Sequence, residues 1–286
     1  MKSQHYNSQV YLRQFTNPKA KNELWEYNLT NAAVKKSSPQ DCGCEDYFNS
    51  VELQGGGHDD ETIEKAFFPL ENDLQKLFKT VRNPQKHPMN EKLWGLLYAF
   101  AAIQYARSPA TVCRIENSLD EIFQAGFEML CKAKLGIESS KVSDNLGMQT
   151  GQGFALVLSL QTVKQIVNIF RNMKWIFLCA PPGKYFLTSD KAVCDWVSPE
   201  KRGIYSGGLN NHKMKITFPL TRGICAFGHW NTSSRPLFNP MPAADVDLIN
   251  YRTIRNGKQF VYGPLMDSKV KTVIEEIVRT TNVTPK

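Results

Sequence analysis

Apolar residues recur along this chain with two different periods. Beyond Asp59 and Asp60, either of which can cap a helix, Ile63, Phe67, Leu70, Leu74, Leu77, Phe78 and Val81 fall three and four positions apart, the spacing of one helix face. The same spacing predicts helices over about Asn90–Arg107, Ser118–Ala133 and Gly153–Met173. On either side of this helical middle the period shortens to two. Glu23–Leu29, with Trp25, Tyr27 and Leu29 on one side, reads as a strand, and Val10–Phe15 reads as a strand or a short amphipathic piece able to pair with it.

Toward the C-terminus, Trp175–Ala180 and Tyr185–Thr188 flank Pro181-Pro182-Gly183, and Met214–Leu220 and Ile224–Trp230 flank Thr221-Arg222-Gly223. Each pair predicts a hairpin. A helix near Ala243–Arg255, a strand Gln259–Tyr262 and a helix Ser268–Thr280 follow, while Ala32–Gly57 and Pro199–Asn211 read as loops. Strands before and after a block of helices predict an α+β fold. Its mixed or antiparallel sheet is built from N-terminal and C-terminal strands packed against the helices. Residues 1–286 are expected to form one domain, with a helical middle (about 60–174) inserted between the N-terminal strands and the C-terminal hairpins.

Composition narrows the class. Apolar residues at 42% and charged residues at 22% are ordinary globular usage, which excludes collagen-like, low-complexity and disordered chains. The polar opening has no apolar run of the kind a secretory signal needs. The most apolar run, Leu93–Ile103, is shorter than the roughly 20 residues that cross a bilayer. A cytoplasmic protein with no membrane span is expected. Seven cysteines, an odd number, point to reduced thiols. Cys113, Cys131, Cys179, Cys194 and Cys225 sit among apolar neighbours as small hydrophobes. Cys42-Gly43-Cys44 with His58 forms half of a zinc pattern, and no second ligand pair completes it.

Thirty-five Lys and Arg against 27 Asp and Glu give a net charge of +8, which favours polyanionic partners. Tyr6, Tyr11, Phe15, Trp25 and Tyr27 are interleaved with early basic residues, the arrangement of surfaces that stack bases and neutralise phosphates, so RNA or single-stranded DNA is the expected polyanion. Core packing accounts for about half of these aromatics by alternation alone. The common nucleotide and hydrolase signatures are missing. Gly55-Gly56-Gly57 leads to His58-Asp59 and supplies no lysine for a phosphate, and Leu156 stands where a dinucleotide loop needs its third glycine.

Gln4-His5-Tyr6-Asn7-Ser8-Gln9-Val10-Tyr11-Leu12-Arg13-Gln14-Phe15 resembles the opening of a large, mainly bacterial family of unknown function, whose members tend to begin His-Tyr-Val-Pro-Gln-Phe-Tyr-Leu-Arg-Asn-Phe. Ile103–Pro109, Phe186–Asp190, Phe218–Thr221 and Gln259–Tyr262 extend the likeness over most of the chain. Ser8 stands where that family has proline, which opens the turn after His5 to a different shape. The family brings no established activity with it.

These segments carry the candidate chemistry. Gln104 and Arg107, one helical turn apart, share a helix face, and a guanidinium beside an amide can hold a phosphate or carboxylate. His5 titrates in the range suited to proton transfer. Arg13, Gln9 and Tyr11 are expected to bind substrate, and Asp190 with Glu71 to hold a divalent cation (Mg²⁺ or Mn²⁺) or orient His5. Two readings stay open. The first is a nuclease-like phosphodiester hydrolase, a defence or toxin effector, with His5, Arg107, Gln104 and Asp190 catalytic. The second is a non-catalytic ligand- or nucleic-acid-binding module in which the same residues form a structural network. No feature of the chain specifies an oligomeric state.

Overall fold

A computed structural model describes residues 3–20, 22–52, 57–130, 151–198, 208–231 and 236–283. The elements in chain order are β1 (Ser3–His5), α1 (Gln9–Leu12), β2 (Leu24–Asn28), β3 (Val34–Ser37), β4 (Cys44–Asp46), β5 (Val51–Glu52) and β6 (His58–Asp59). The helices α2 (Thr62–Arg82), α3 (Glu91–Ala106), α4 (Pro109–Leu130), α5 (Gln152–Gln161) and α6 (Val163–Asn172) follow. The C-terminal part holds β7 (Lys174–Cys179), β8 (Thr188–Ser189), β9 (Cys194–Trp196), β10 (Lys215–Thr221), β11 (Ile224–His229) and β12 (Phe238–Pro240), then α7 (Ala243–Asn256), β13 (Phe260–Gly263) and α8 (Ser268–Val283).

The fold is α+β. One sheet has the order β3-β2-β13-β8, all antiparallel, and so joins N-terminal to C-terminal strands. A second, five-stranded sheet runs β12-β7-β11-β10-β9 and is mixed, because β12 lies parallel to β7, while β1–β4 and β5–β6 form two small antiparallel pairs. Strand alternation sorts β7 between two cores. Trp175 and Phe177 pack into the main core with α3 and α6, where Trp94 stacks on Phe177 at 5.7 Å and the Trp175 indole N–H donates to the Phe170 carbonyl at 2.7 Å. Ile176 and Leu178 face the opposite way, onto Val246 and Ile249 of α7. A β-carbon on Gly228 would sit 2.9 Å from the Trp175 ring, so the indole's seat requires glycine there.

Several elements differ from the sequence expectation for identifiable reasons. Of the two readings of Val10–Phe15, the short amphipathic piece holds and the strand does not: Ser8 caps α1 by accepting from the Tyr11 N–H at 3.3 Å, and a 3₁₀ turn over Arg13–Phe15 continues it. The Ser8 φ of −62° is the value a proline ring imposes, so the turn after His5 keeps a proline-compatible shape. The early hairpin is therefore β2–β3, the expected strand paired with one drawn from the stretch expected to be loop. Trp175–Ala180 and Tyr185–Thr188 do not pair; β7 takes β11, and β8 takes β13. The hairpin β10–β11 forms as expected. The helix expected to begin at Ser118 starts at Pro109, where Ser108 accepts from the Thr111 N–H, and the 153–173 helix breaks at Thr162. The expected helix end near Ala133, Cys131, Gly55 and Gly56, and residues 199–207 of the expected loop lie outside the described residues.

Cys42-Gly43-Cys44 is a tight turn. Gly43 has φ +65°, its carbonyl accepts from Tyr6 and Asn7 N–H groups, and a β-carbon there would lie 2.9 Å from the Asn7 β-carbon. No cluster of three or more metal-ligating side chains occurs among the described residues. The six described cysteines are free thiols; Cys194 and Cys225 are buried as expected, whereas Cys113 and Cys179 are half-buried. No single helix among the described residues is long and apolar enough to cross a membrane. Among the described residues α5 and α6 meet that requirement of length and composition only when taken together, with a 41° bend between them.

Candidate functional site: a cleft between the first two helices

The motif segments separate into a buried hub and an open cleft. Tyr11 is at the hub. Its hydroxyl donates to the Pro219 carbonyl at 2.7 Å and, that proton being committed, accepts from the Thr188 hydroxyl at 2.7 Å. Asn7 donates through Nδ2 to the Ser189 carbonyl at 2.8 Å, and the hydroxyls of Tyr6 and Tyr262 meet at 3.2 Å. Gln4 completes the hub by donating to the Asp60 carbonyl and accepting from the Asn49 N–H. A buried polar network of this kind favours one packing of its segments, although the Asn49 side chain beside it is left unpartnered. It ties the N-terminus to β8, β10 and β13.

Asp190 belongs to the hub region. Its carboxylate accepts from the backbone N–H groups of Lys258, Gln259 and Phe260 at 2.8, 2.6 and 3.0 Å and closes the turn between α7 and β13. Burial pushes its pKa up while these amides pull it back. The expectation that Asp190 and Glu71 share a metal or flank His5 is corrected: Asp190 does not line the cleft that Glu71 lines. Tyr11 is fully buried and bound within the core, so it presents no surface to a substrate. Tyr6, Phe15 and Tyr27 are likewise buried, and the early aromatics do not form a base-stacking face. Gln104 is buried with its Oε1 unpartnered and also does not line the cleft.

The cleft, of about 300 Å³, is lined by His5, Ser8, Gln9, Val10, Arg13, Glu64, Phe67, Phe68, Glu71 and Arg107. One wall is α1 and the residues leading into it. The helical turn sets Gln9 and Arg13 four residues apart on one side, with Arg13 Nη2 3.4 Å from Gln9 Oε1. The opposite wall is α2, which presents Glu64, Phe67, Phe68 and Glu71 over two turns.

Arg107 lies between these walls, at the C-terminal end of α3, where Ser108-Pro109 stops one helix and begins the next. Its side chain is buried, with the guanidinium 4.5 Å from the Phe67 ring centre. Nε has no hydrogen-bond partner, and among the described residues no carboxylate comes within ion-pairing distance. Burial holds its pKa down to about 10, with Glu71 and then Glu64 opposing from a distance. A buried charge ordinarily has a partner, because unpaired it costs several kcal/mol. Arg107 carries its charge into a cleft without one.

His5 ends β1 half-buried. Its Nε2 is 3.2 Å from the Gln40 carbonyl, which only accepts, so the neutral ring bears its proton on Nε2 and leaves Nδ1 basic. Burial pushes the imidazole pKa below 6.5; the Gln40 carbonyl raises it and Arg107 lowers it further. Burial pushes the Glu71 carboxyl above 4.5, opposed by Arg107 and reinforced by Glu64.

Sequence reasoning named His5, Gln9, Arg13, Glu71 and Arg107 of this lining and missed Ser8 and Val10 on the α1 side and, on α2, Glu64, Phe67 and Phe68. The signal for the α2 residues was available: Glu64, Phe67, Phe68 and Glu71 sit at i, i+3, i+4 and i+7 of the helix whose period was read.

The sequence profile of a family described as a protein of unknown function (DUF4238) matches residues 3–264. The chain belongs to the DUF4238 family. That match takes in β1 through β13, and with them every residue lining the cleft and every residue of the hub. No curated protein and no solved structure matches this DUF4238 chain.

Proposed function

We propose that this DUF4238 protein is a nuclease-like phosphodiester hydrolase and that the α1–α2 cleft holds the scissile phosphate. The observation that carries the reading is Arg107, a buried guanidinium with Nε unpartnered and no ion pair among the described residues, facing an open cleft beside a histidine. A guanidinium offers a planar fork of N–H donors that matches two phosphate oxygens, and a water-poor seat strengthens the attraction. Arg107 is the phosphate clamp, with Arg13 and Gln9 reaching the flanking backbone.

The proton chemistry follows from the two titrating neighbours. His5, kept neutral by burial, takes a proton from the attacking water as its oxygen bonds to phosphorus. Glu71, whose burial favours the protonated form, gives its proton to the leaving oxygen as the phosphorus–oxygen bond breaks. Arg107 stabilises the charge that gathers on the remaining oxygens. The Mg²⁺ or Mn²⁺ expected from Asp190 with Glu71 finds no matching donor set among the described residues, and no step is routed through it.

The test is cleavage of labelled single-stranded RNA and DNA by the purified protein, with Mg²⁺, with Mn²⁺ and with chelator. The wild type is expected to cut, and His5→Ala and Arg107→Met to fold yet leave the substrate intact. Intact substrates in all three conditions overturn the proposal. Phosphate binding without cleavage would instead favour the binding module, whose structural network the hub around Tyr11 and Asn7 supports.

A further inference from the structure

The two walls of the cleft differ in chemistry, and the difference selects a substrate. The α1 wall and Arg107 offer cationic and amide donors to an anion. The α2 wall offers an aromatic ring and a carboxylate. Phe68 lines the cleft with 66% of its surface exposed, unusual for a phenylalanine. Glu64 lines it half-buried, with no hydrogen bond or ion pair to any described residue. A free carboxylate accepts and does not donate. The cleft therefore suits a ligand with an anion at one end and, at the other, a flat ring bearing N–H donors.

Building on the reading of this cleft as a phosphodiester site, we propose that it recognises guanine: Phe68 stacks on the base and Glu64 accepts from its N1–H and N2–H groups, while Arg107 holds the adjoining phosphate. Guanine is the base whose pairing edge carries two adjacent donors. Adenine and cytosine each place a ring-nitrogen acceptor beside their amino group, and uracil has one N–H between two carbonyls, so each turns an acceptor toward the Glu64 carboxylate. A pocket built to take hydrogen-bond donors discriminates strongly against ligands lacking them. A cleft of about 300 Å³ lies at the small end of ligand sites, the scale of one nucleotide and not of a stacked duplex. Cutting would then fall beside guanines in single strands.

Isothermal titration of the full chain with GMP, AMP, CMP, UMP and inorganic phosphate tests this, with each variant's folding checked by thermal melting. GMP is expected to bind at least tenfold more tightly than the other three nucleotides. Glu64→Gln, which replaces one acceptor by a donor, should bring GMP down to the affinity of AMP. Phe68→Ala should bring all four nucleotides down toward inorganic phosphate. Four nucleotides binding within twofold of one another, with Arg107→Met still abolishing binding, would overturn guanine recognition and leave the phosphate site standing. Absence of binding by every nucleotide and by phosphate would overturn both.

Discussion

Replacing Arg107 by methionine should stabilise the protein while removing its ligand site. Methionine fills a similar length with no charge. The guanidinium pKa is held at about 10 against an ordinary 12.5, and each pKa unit corresponds to about 1.4 kcal/mol, so seating the charge costs the fold about 3 kcal/mol. The contact with the Phe67 ring returns about 0.5–2 kcal/mol of that and is lost in the variant. The net expectation for Arg107→Met is a gain of about 1–3 kcal/mol. At roughly 2–4 °C per kcal/mol for large domains, Tm should rise by several degrees.

The pH dependence has a definite sign. A cation whose folded pKa is depressed destabilises the fold wherever it is charged, and that cost lifts only as pH rises from about 10 through 12.5. The gain from Arg107→Met should therefore be level between about pH 6 and 9, apart from smaller changes at His5 and Glu71, whose pKa values Arg107 lowers. Denaturant unfolding at several pH values measures it. A loss of about 3–5 kcal/mol, the usual result of breaking a paired buried charge, would show that Arg107 is a structural ion-pair member and refute the unpaired-charge reasoning.

Hydrolysis should follow a bell whose acidic limb is set by His5, which must be deprotonated and whose pKa burial pushes below 6.5, and whose alkaline limb is set by Glu71, which must be protonated and whose pKa burial pushes above 4.5. An optimum above pH 7.5 contradicts these roles. The same depressed imidazole makes the His5 contribution to stability present above pH 6.5 and lost as pH falls through its folded pKa, which NMR titration of the ring can follow. Asp190→Ala orphans the N–H groups of Lys258, Gln259 and Phe260 and should cost about 3 kcal/mol or more by chemical unfolding, with phosphate affinity of the folded protein retained. Tyr11→Phe strands the Thr188 hydroxyl and Pro219 carbonyl in the core and should cost about 1–3 kcal/mol, again without changing affinity.

The α+β class and the long elements were legible because periodicity is strong where one face is buried, as along α2 and α3 and in the β10–β11 hairpin. Pairing partners were not legible. Trp175–Ala180 and Tyr185–Thr188 look like hairpin arms, yet β7 joins β11 and β8 joins β13, because the sheet is decided by contacts far apart in sequence. Within the opening motif the split between hub and cleft was hidden for a related reason. Residues alternate in role over a few positions: His5, Gln9 and Arg13 face the cleft, while Gln4, Asn7 and Tyr11 are buried. Whether a polar side chain is satisfied by protein or left for a ligand depends on the segments that close over it. Asp190 shows this: a carboxylate at a strand end suits a metal site, and the backbone of Lys258–Phe260, which no local pattern brings near, claims its oxygens.

The central claim is that Arg107 keeps its charge for an anion brought in from solution. The most direct measurement is the anomalous difference map of a crystal soaked in tungstate, a heavy stand-in for phosphate. A peak within hydrogen-bonding distance of the Arg107 guanidinium, between α1 and α2, is the predicted result. A map with tungstate bound elsewhere and that cleft empty, or with Arg107 paired to Glu64 or Glu71, would contradict it.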